Sequence, residues 1–427
     1  MGIPLPRTRL FWSVSLGHFT VDMFSAAVAV ILAFLSGHLL SMTNTEIGFA
    51  LSGYQLTSAI SQPLCGWIAD RTGGRWLGAG GVAWTVFMIL LALLAATVTH
   101  SYALMVIPLV LAALGSGAFH PVGAMHAAHA ETGRMTNLSL FFFMGQLGGA
   151  VGPVLAGFLL DQTASRNALF TAALGPTFSG RLVENGSVAP LFLLGLVAIP
   201  GVALMSLVIP GAAAHRALHG HPASAGASRR LINLAPLLVL AVVILLRGLI
   251  NPGLVSFLPR LFQLRGWSAA EYGLVTSMYW LGGALMGVIF GQFGDRFGSR
   301  LLIVASMLLA APAVFGLTIS DGVISFALAL AVGAFSGGSH SIIVALTQKL
   351  MPTGKGLASG AALGFIFGTG ALGVLVIGAL ADRFGLDFAF QVVAVVGVIT
   401  GLLAFLLPAD RPARVAVSTV VEEPLTV

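Results

Sequence analysis

Apolar residues along this chain come in long runs separated by short polar connections. A helix needs about 20 mostly apolar residues to cross a bilayer. Twelve runs meet that length: roughly 10–37, 45–69, 77–97, 102–129, 138–160, 189–209, 234–258, 271–293, 301–319, 323–347, 357–380 and 388–407. The pattern predicts an all-α membrane protein with twelve transmembrane helices, an even number that puts both chain ends on one side. The first run is too long for the apolar core of a cleavable signal, so it is expected to stay as a helix.

Composition supports this pattern. Charged residues make up only 8% of the chain and hydrophobic residues 57%, whereas soluble domains carry roughly 25% charged residues. The 54 glycines suit helices that pack closely within a membrane. A net charge of +6 would suggest nucleic acid in a soluble protein. Here the basic residues sit in short connections, where they orient helices in a membrane, and no nucleic-acid partner is expected. The single cysteine, Cys65, excludes an internal disulfide. No His, Cys or acidic spacing resembles a metal cluster, so neither metal nor cofactor is expected.

The positions of the charges decide the orientation. Fourteen of the 20 Lys and Arg residues fall in connections on the side of the termini, five fall on the other side, and Arg247 lies within a span. Cytoplasmic loops hold the basic excess, so both termini are expected in the cytoplasm. The longest connection on that side, 211–233, is rich in Ala, Gly, Ser and His and reads as a linker between a half at 1–210 and a half at 234–408. Residues 409–427 form a tail. His215, His219 and His221 in the linker lack the acidic or Cys partner a metal site would add, which favours a solvated linker. Asn185-Gly186-Ser187 matches a glycosylation sequon, incidental in a chain of bacterial compactness.

The two halves repeat one another. Glu46-Ile-Gly-Phe-Ala-Leu-Ser-Gly-Tyr54 aligns with Glu271-Tyr-Gly-Leu-Val-Thr-Ser-Met-Tyr279 at an offset of 225, which also maps Gly66, Asp70, Arg71, Gly73 and Arg75 onto Gly291, Asp295, Arg296, Gly298 and Arg300. At an offset of 220 to 221, His120 falls on His340 and Asp161 on Asp382. Parallel six-helix repeats with a solute site between them near the midplane are one way to build a transporter.

These residues resemble a known family. Gly66-Trp-Ile-Ala-Asp70-Arg71-Thr-Gly73-Gly-Arg75 is similar to the signature of the major facilitator superfamily between its second and third helices. Asp295-Arg296-Phe-Gly298-Ser-Arg300 resembles its echo. Gly148-Gly-Ala-Val-Gly152-Pro153-Val-Leu-Ala-Gly157 resembles the fifth-helix motif of drug/proton antiporters. Gly17-His18-Phe19 with Asp22, Gly117-Ala-Phe-His120-Pro121, Leu357-Ala-Ser-Gly360 and Ala381-Asp382-Arg383-Phe384-Gly385 resemble fosmidomycin-resistance-type efflux proteins. Two positions depart from that subgroup: Val122 stands where an acid often follows the His-Pro pair, and His340 where the subgroup tends to be apolar. The resemblance implies a cavity lined by the first, fourth, seventh and tenth helices.

Polar residues in the spans supply the candidate chemistry. Ionisable groups at the membrane centre cost at least about 2.5–3.5 kcal/mol each and normally face a cavity or a partner. Asp22 and Arg247 sit at similar depth and at equivalent repeat positions, and His120 and His340 reach a comparable level. Arg247 fits either an ion pair with Asp22 or a fixed charge for a phosphonate or carboxylate. Asp22 and His120 are candidates for proton coupling. Candidates for solute binding are Arg247, His120, His340, His18, Asn251, Tyr54, Gln146 and Tyr279, with Gln55 and Trp280 as further wall residues; packing roles fit several of them equally. Asn251-Pro252-Gly253 suggests a break in the seventh helix. Asp70, Arg71 and Arg75, their twins Asp295, Arg296 and Arg300, and the Gly152-Pro153 kink are assigned to gating. His126 and His129 are expected at the membrane interface.

The expected activity is secondary transport: proton-coupled efflux of a small anionic or drug-like compound. Uptake of an organic or phosphorylated anion stays open, as does a non-transporting receptor or scaffold on the same fold. No nucleotide loop or nucleophile–base pair points to an enzyme. Partners are a small-molecule substrate, protons and the lipid bilayer, and the chain is expected to be a monomer in a bacterial inner membrane.

Overall fold

The computed structural model describes residues 6–129, 135–161, 167, 171–173, 187–213, 234–350 and 355–409. Most of the linker with its three histidines, most of the sequon, and the tail beyond residue 409 lie outside the described residues, as do the side chains of His129, Asp295 and Arg296. Among the described residues every regular element is helical. The helices are α1 (Arg9–His38), α2 (Asn44–Thr72), α3 (Arg75–Thr99), α4 (Tyr102–His129), α5 (Met135–Leu160), and α6 (Gly195–Val208, entered by a 3₁₀ turn at Ala189–Leu194). α7 runs as Leu234–Gly248, a π turn at Leu249–Gly253, and Leu254–Leu264. Then come α8 (Ala269–Phe297), α9 (Ser299–Ile319), α10 (Val323–Val332, a π turn at Gly333–Gly337, then His340–Leu350), α11 (Lys355–Phe384) and α12 (Leu386–Leu403).

Eleven of these are long and apolar enough to cross a membrane; α2 is not. Its 29 residues include Ser52, Gln55, Thr57, Ser58, Ser61 and Gln62, so its apolar run is diluted along its length. The reason is position: α2 packs along α4 on one side and α11 on the other, where Ser52, Ser58 and Gln62 are buried, and keeps a third face exposed with Phe49, Leu56, Ile60, Leu64 and Trp67. Thr43 and Glu46 close a reciprocal capping box at its start, and Gly73, in the left-handed conformation, ends it.

Glycine sets how near the helices come. A Cβ at Gly148 or Gly152 would overlap the carbonyls of Phe19 and Met23, so α5 lies directly on α1. The opposite side of α5 meets α8, where Gly157 faces Ala269 and Gly273 faces the Pro153 carbonyl. α5 therefore runs through Pro153 as one continuous helix. At Gly152-Pro153, the pair assigned to a gating kink, α5 presents a two-sided packing surface.

The halves meet through α2 with α11 and α5 with α8, toward the end of the molecule opposite its termini. There the Asp382 carboxylate accepts the backbone N–H groups of Asn44 (2.9 Å) and Thr45 (2.7 Å), so a residue of α11 caps α2. Arg260 donates to Ser36 (2.7 Å) and Gln263 to the Ala33 carbonyl, and Ser52 to the Ala371 carbonyl (2.7 Å). These bonds join α1 and α2 to α7 and α11. That end is closed.

Candidate functional site

In the first half the site is built on the face of α1 that α5 holds. His18 and Asp22 are one turn apart, and the glycines of α5 press this face into place. A Cβ at Gly145 would overlap both the His18 ring and the Asp22 carboxylate. His18 Nε2 lies 3.2 Å from Asp22 Oδ2, and His120 Nε2, from α4, lies 3.2 Å from Asp22 Oδ1. The far nitrogen of each ring meets a backbone carbonyl: His18 Nδ1 at Phe141 (2.8 Å), His120 Nδ1 at Ser116 (2.8 Å). A carbonyl only accepts, so each Nδ1 carries a hydrogen. Every change of protonation in the cluster is thereby confined to the two Nε2 atoms and the carboxylate between them. The His18 ring also stacks on Phe141 at 4.1 Å between centroids. Asp22 is the open member, with 28% of its side chain exposed against 3% for His18 and 11% for His120.

In the second half the same level is occupied by Arg247, only 2% exposed. Its guanidinium donates to the Ser336 carbonyl (2.6 Å) and to Ser339 Oγ (3.2 Å), both on α10. Among the described residues no carboxylate lies within ion-pair distance of it. A buried cation held by neutral oxygens is costly unless an anion visits it. His340, on the next stretch of α10, is close enough for both Arg247 and Asp22 to act on it electrostatically. His120 faces Phe367 of α11 at 6.4 Å between ring centroids. Residues of α1, α4, α7, α10 and α11 thus come together here, with Asp22 partly exposed and Arg247 buried.

Several expectations change here. Asp22 and Arg247 share the space but form no ion pair; histidines take the acid and serines take the base. His18 belongs with Asp22 and His120. Tyr54 bonds Ser25 (2.7 Å) next to Asp22, and Gln146 of α5 faces Gly283 of α8 across the halves. Tyr279 is 1% exposed and does not line open space. Its hydroxyl reaches the Asn251 carbonyl and Ser336 Oγ, both at 3.4 Å, tying together the π turns of α7 and α10. The expected break at Asn251-Pro252-Gly253 is one of these π turns, in which the helix widens without ending.

Among the gating residues, Arg75 donates to the Ile209 carbonyl (2.6 Å) and so caps α6 within its own half. Arg71 folds back on the Trp67 carbonyl and ring. Arg300 lies in the first turn of α9. His126 is buried in the protein and bonds the Gly73 carbonyl (2.8 Å), pinning the loop that carries Arg71 and Arg75 to α4. Ser336, Ser339, Gly145 and Asp382 were not singled out for these parts. A serine or glycine in an apolar helix carries little signal until its neighbour is known.

The family model of the Major Facilitator Superfamily matches residues 14–268 and 237–426. The chain belongs to the Major Facilitator Superfamily. It is 28% identical over 408 residues to the Fosmidomycin resistance protein of Escherichia coli (strain K12), covering 93% of this chain and 92% of that one. It is 25% identical over 402 residues to the uncharacterized MFS-type transporter YfnC of Bacillus subtilis (strain 168), covering 94% and 93%. Among solved structures it resembles a bacterial homolog of the human lysosomal transporter Spinster in an inward-facing and occupied conformation, with a TM-score of 0.73, 16% identity and coverage of 95% and 97%. It also resembles the D-xylose-proton symporter, with a TM-score of 0.70, 15% identity and coverage of 94% and 98%. The superfamily member described here is a multi-pass membrane transporter and not an enzyme.

Proposed function

We propose that this transporter exports a small anionic, drug-like solute in exchange for protons, by alternating access between its six-helix halves. The observation that carries this reading is Arg247, a buried guanidinium between the halves with serine oxygens and, among the described residues, no carboxylate as partners. Such a group is a fixed anchor for a phosphonate or carboxylate, because its planar fork matches an oxyanion. His340 beside it, with Asn251 and Gln146 on neighbouring helices, completes the solute side. The name of the Escherichia coli relative supports a fosmidomycin-like compound as the substrate class. Asp22 and His120, with His18, take the proton side, since their shared contacts leave a proton only the two Nε2 atoms and the Asp22 carboxylate on which to arrive or leave.

In this reading the basic excess keeps both termini in the cytoplasm of a bacterial inner membrane, and the monomer is the transporting unit. The end closed by Asp382 and Arg260 is then extracellular. The loop of Asp70, Arg71 and Arg75 holds the opposite end when that end closes. The test is drug resistance in cells carrying Arg247→Ala, with the amount of protein in the membrane measured in parallel. Resistance should be lost at unchanged protein level, and normal resistance would overturn the reading. Everted vesicles, which fix the orientation, separate export from uptake.

A further inference from the structure

His18, Asp22 and His120 converge with both Nδ1–H groups spent on carbonyls, so each Nε2 meets an Asp22 oxygen either as an N–H donor or, in the neutral ring, with a lone pair that can share a cation with the carboxylate. A histidine that ligates a metal is oriented in the same manner: its other nitrogen donates to a carbonyl or carboxylate that fixes ring and tautomer. The spacing also fits. Two ligands about 2.0–2.1 Å from zinc at a tetrahedral angle stand roughly 3.3 Å apart; here each imidazole is at that spacing from its own carboxylate oxygen, His18 Nε2 3.2 Å from Oδ2 and His120 Nε2 3.2 Å from Oδ1. One ligand atom from each of the three residues lies within 4.8 Å of the others.

We propose that His18, Asp22 and His120 form a binding site for a divalent d-block cation of the zinc class. Two imidazoles and one carboxylate select such an ion over magnesium or calcium, which take oxygen ligands. The site is built, because α5 holds it from behind through Gly145, while Phe141 and Ser116 supply the outer contacts. It is also open, because Asp22 faces the central space and leaves a coordination position there for water or a solute oxygen. This inference rests on the proposed transport site and deepens it: the ion and the coupling protons compete for the same two Nε2 atoms and carboxylate, so ion binding weakens as these groups are protonated. An ion on the first-half wall opposite Arg247 makes both walls attractive to a chelating oxyanion, so the solute class narrows to anions that bind metals.

The test uses the full chain purified in detergent, titrated with Zn²⁺ and Co²⁺, with Mg²⁺ as comparison. A second preparation has His215, His219 and His221 replaced together by Ala, so that the linker histidines cannot supply the signal. Both preparations should take up one ion per chain, with the visible absorption of tetrahedral Co²⁺, and Mg²⁺ should not compete. His120→Gln and Asp22→Asn, which each remove a ligand, should weaken binding by more than the about 10- to 100-fold that loss of an outer partner alone costs. Thermal unfolding without ion checks that these variants fold, and Zn²⁺ should raise the unfolding temperature of the parent more than theirs. No saturable binding in the linker variant, or binding undiminished by His120→Gln, would overturn the inference. Proton-driven export that persists in vesicles with a chelator, alongside absent ion binding, would overturn the metal site and leave the transport reading standing.

Discussion

The two halves place opposite chemistry at matching positions. Asp22 and Arg247 occupy equivalent sites in the repeat, as do His120 and His340. In the first half the acid is 28% exposed and shared by two histidines. In the second half the base is 2% exposed and held by a serine hydroxyl and a backbone carbonyl. The neighbours differ for a physical reason. A carboxylate beside imidazoles can gain or lose a proton with little rearrangement, so its cluster is a place of changing charge. A guanidinium keeps its charge, and rigid neutral oxygens hold it without cancelling it. One fold position thus becomes a variable site and the other a constant one. The difference teaches that a repeated scaffold sets where the chemistry sits, while a few side chains set its sign.

The comparison can be broken or sharpened experimentally. The largest effect is expected for Arg247→Ala. Removing one partner of a desolvated charge contact costs about 2–5 kcal/mol, so solute binding should weaken at least about 30-fold, and both export and gradient-free solute exchange should fail in proteoliposomes. Arg247→Lys should recover only part of this, because an ammonium cannot reproduce the fork that reaches Ser336 and Ser339 together.

Asp22→Asn should behave differently. Export driven by a proton gradient should fall to background, while gradient-free exchange, measured with a chelator so that no ion at Asp22 contributes, stays within about threefold of the parent, since Arg247 is untouched. Equal loss of exchange in the two variants would show that the halves do not divide the work.

A smaller effect is expected from Gly145→Ala, which removes no polar atom but drives a methyl into His18 and Asp22. Gradient-driven export should fall by about tenfold, on the basis that overpacking typically costs about 1–3 kcal/mol, with solute binding at Arg247 unchanged in a ligand-stabilisation assay. The smallest shift belongs to Asp382→Asn, which keeps the shape of the α2 cap but not its charge. Loss of about 1 kcal/mol should raise the population open at that end by about fivefold, read as spin-label distances between α2 and α11. An unchanged distance distribution would remove Asp382 from the gate.

Much of this fold was legible in the chain because membrane helices announce themselves by length and apolarity. The repeat was legible because Glu46 to Tyr54 and Glu271 to Tyr279 keep spaced polar residues. Legibility failed where a residue's meaning depends on a distant neighbour. Asp22 pointed to Arg247 by depth and symmetry, yet His18 and His120 are its partners because α5 and α4 deliver them. Asn251-Pro252-Gly253 signalled a disturbed helix, but only the packing of Tyr279 against α7 and α10 makes the disturbance a π turn. Gly152-Pro153 signalled a kink, and the α1 backbone turned it into a contact surface.

Sequence by itself determined the class of molecule, the likeness of its halves and the polar residues its spans must accommodate, because the cost of placing charge in a membrane is written in composition and order. Tertiary structure alone decided who meets whom. The three groups of the His18, Asp22 and His120 cluster come from two helices whose contributions lie about a hundred residues apart, and no spacing rule reaches across that distance. Helix packing set by glycine brings them within hydrogen-bonding range, and among the described residues the same packing leaves Arg247 with serine oxygens and no acid.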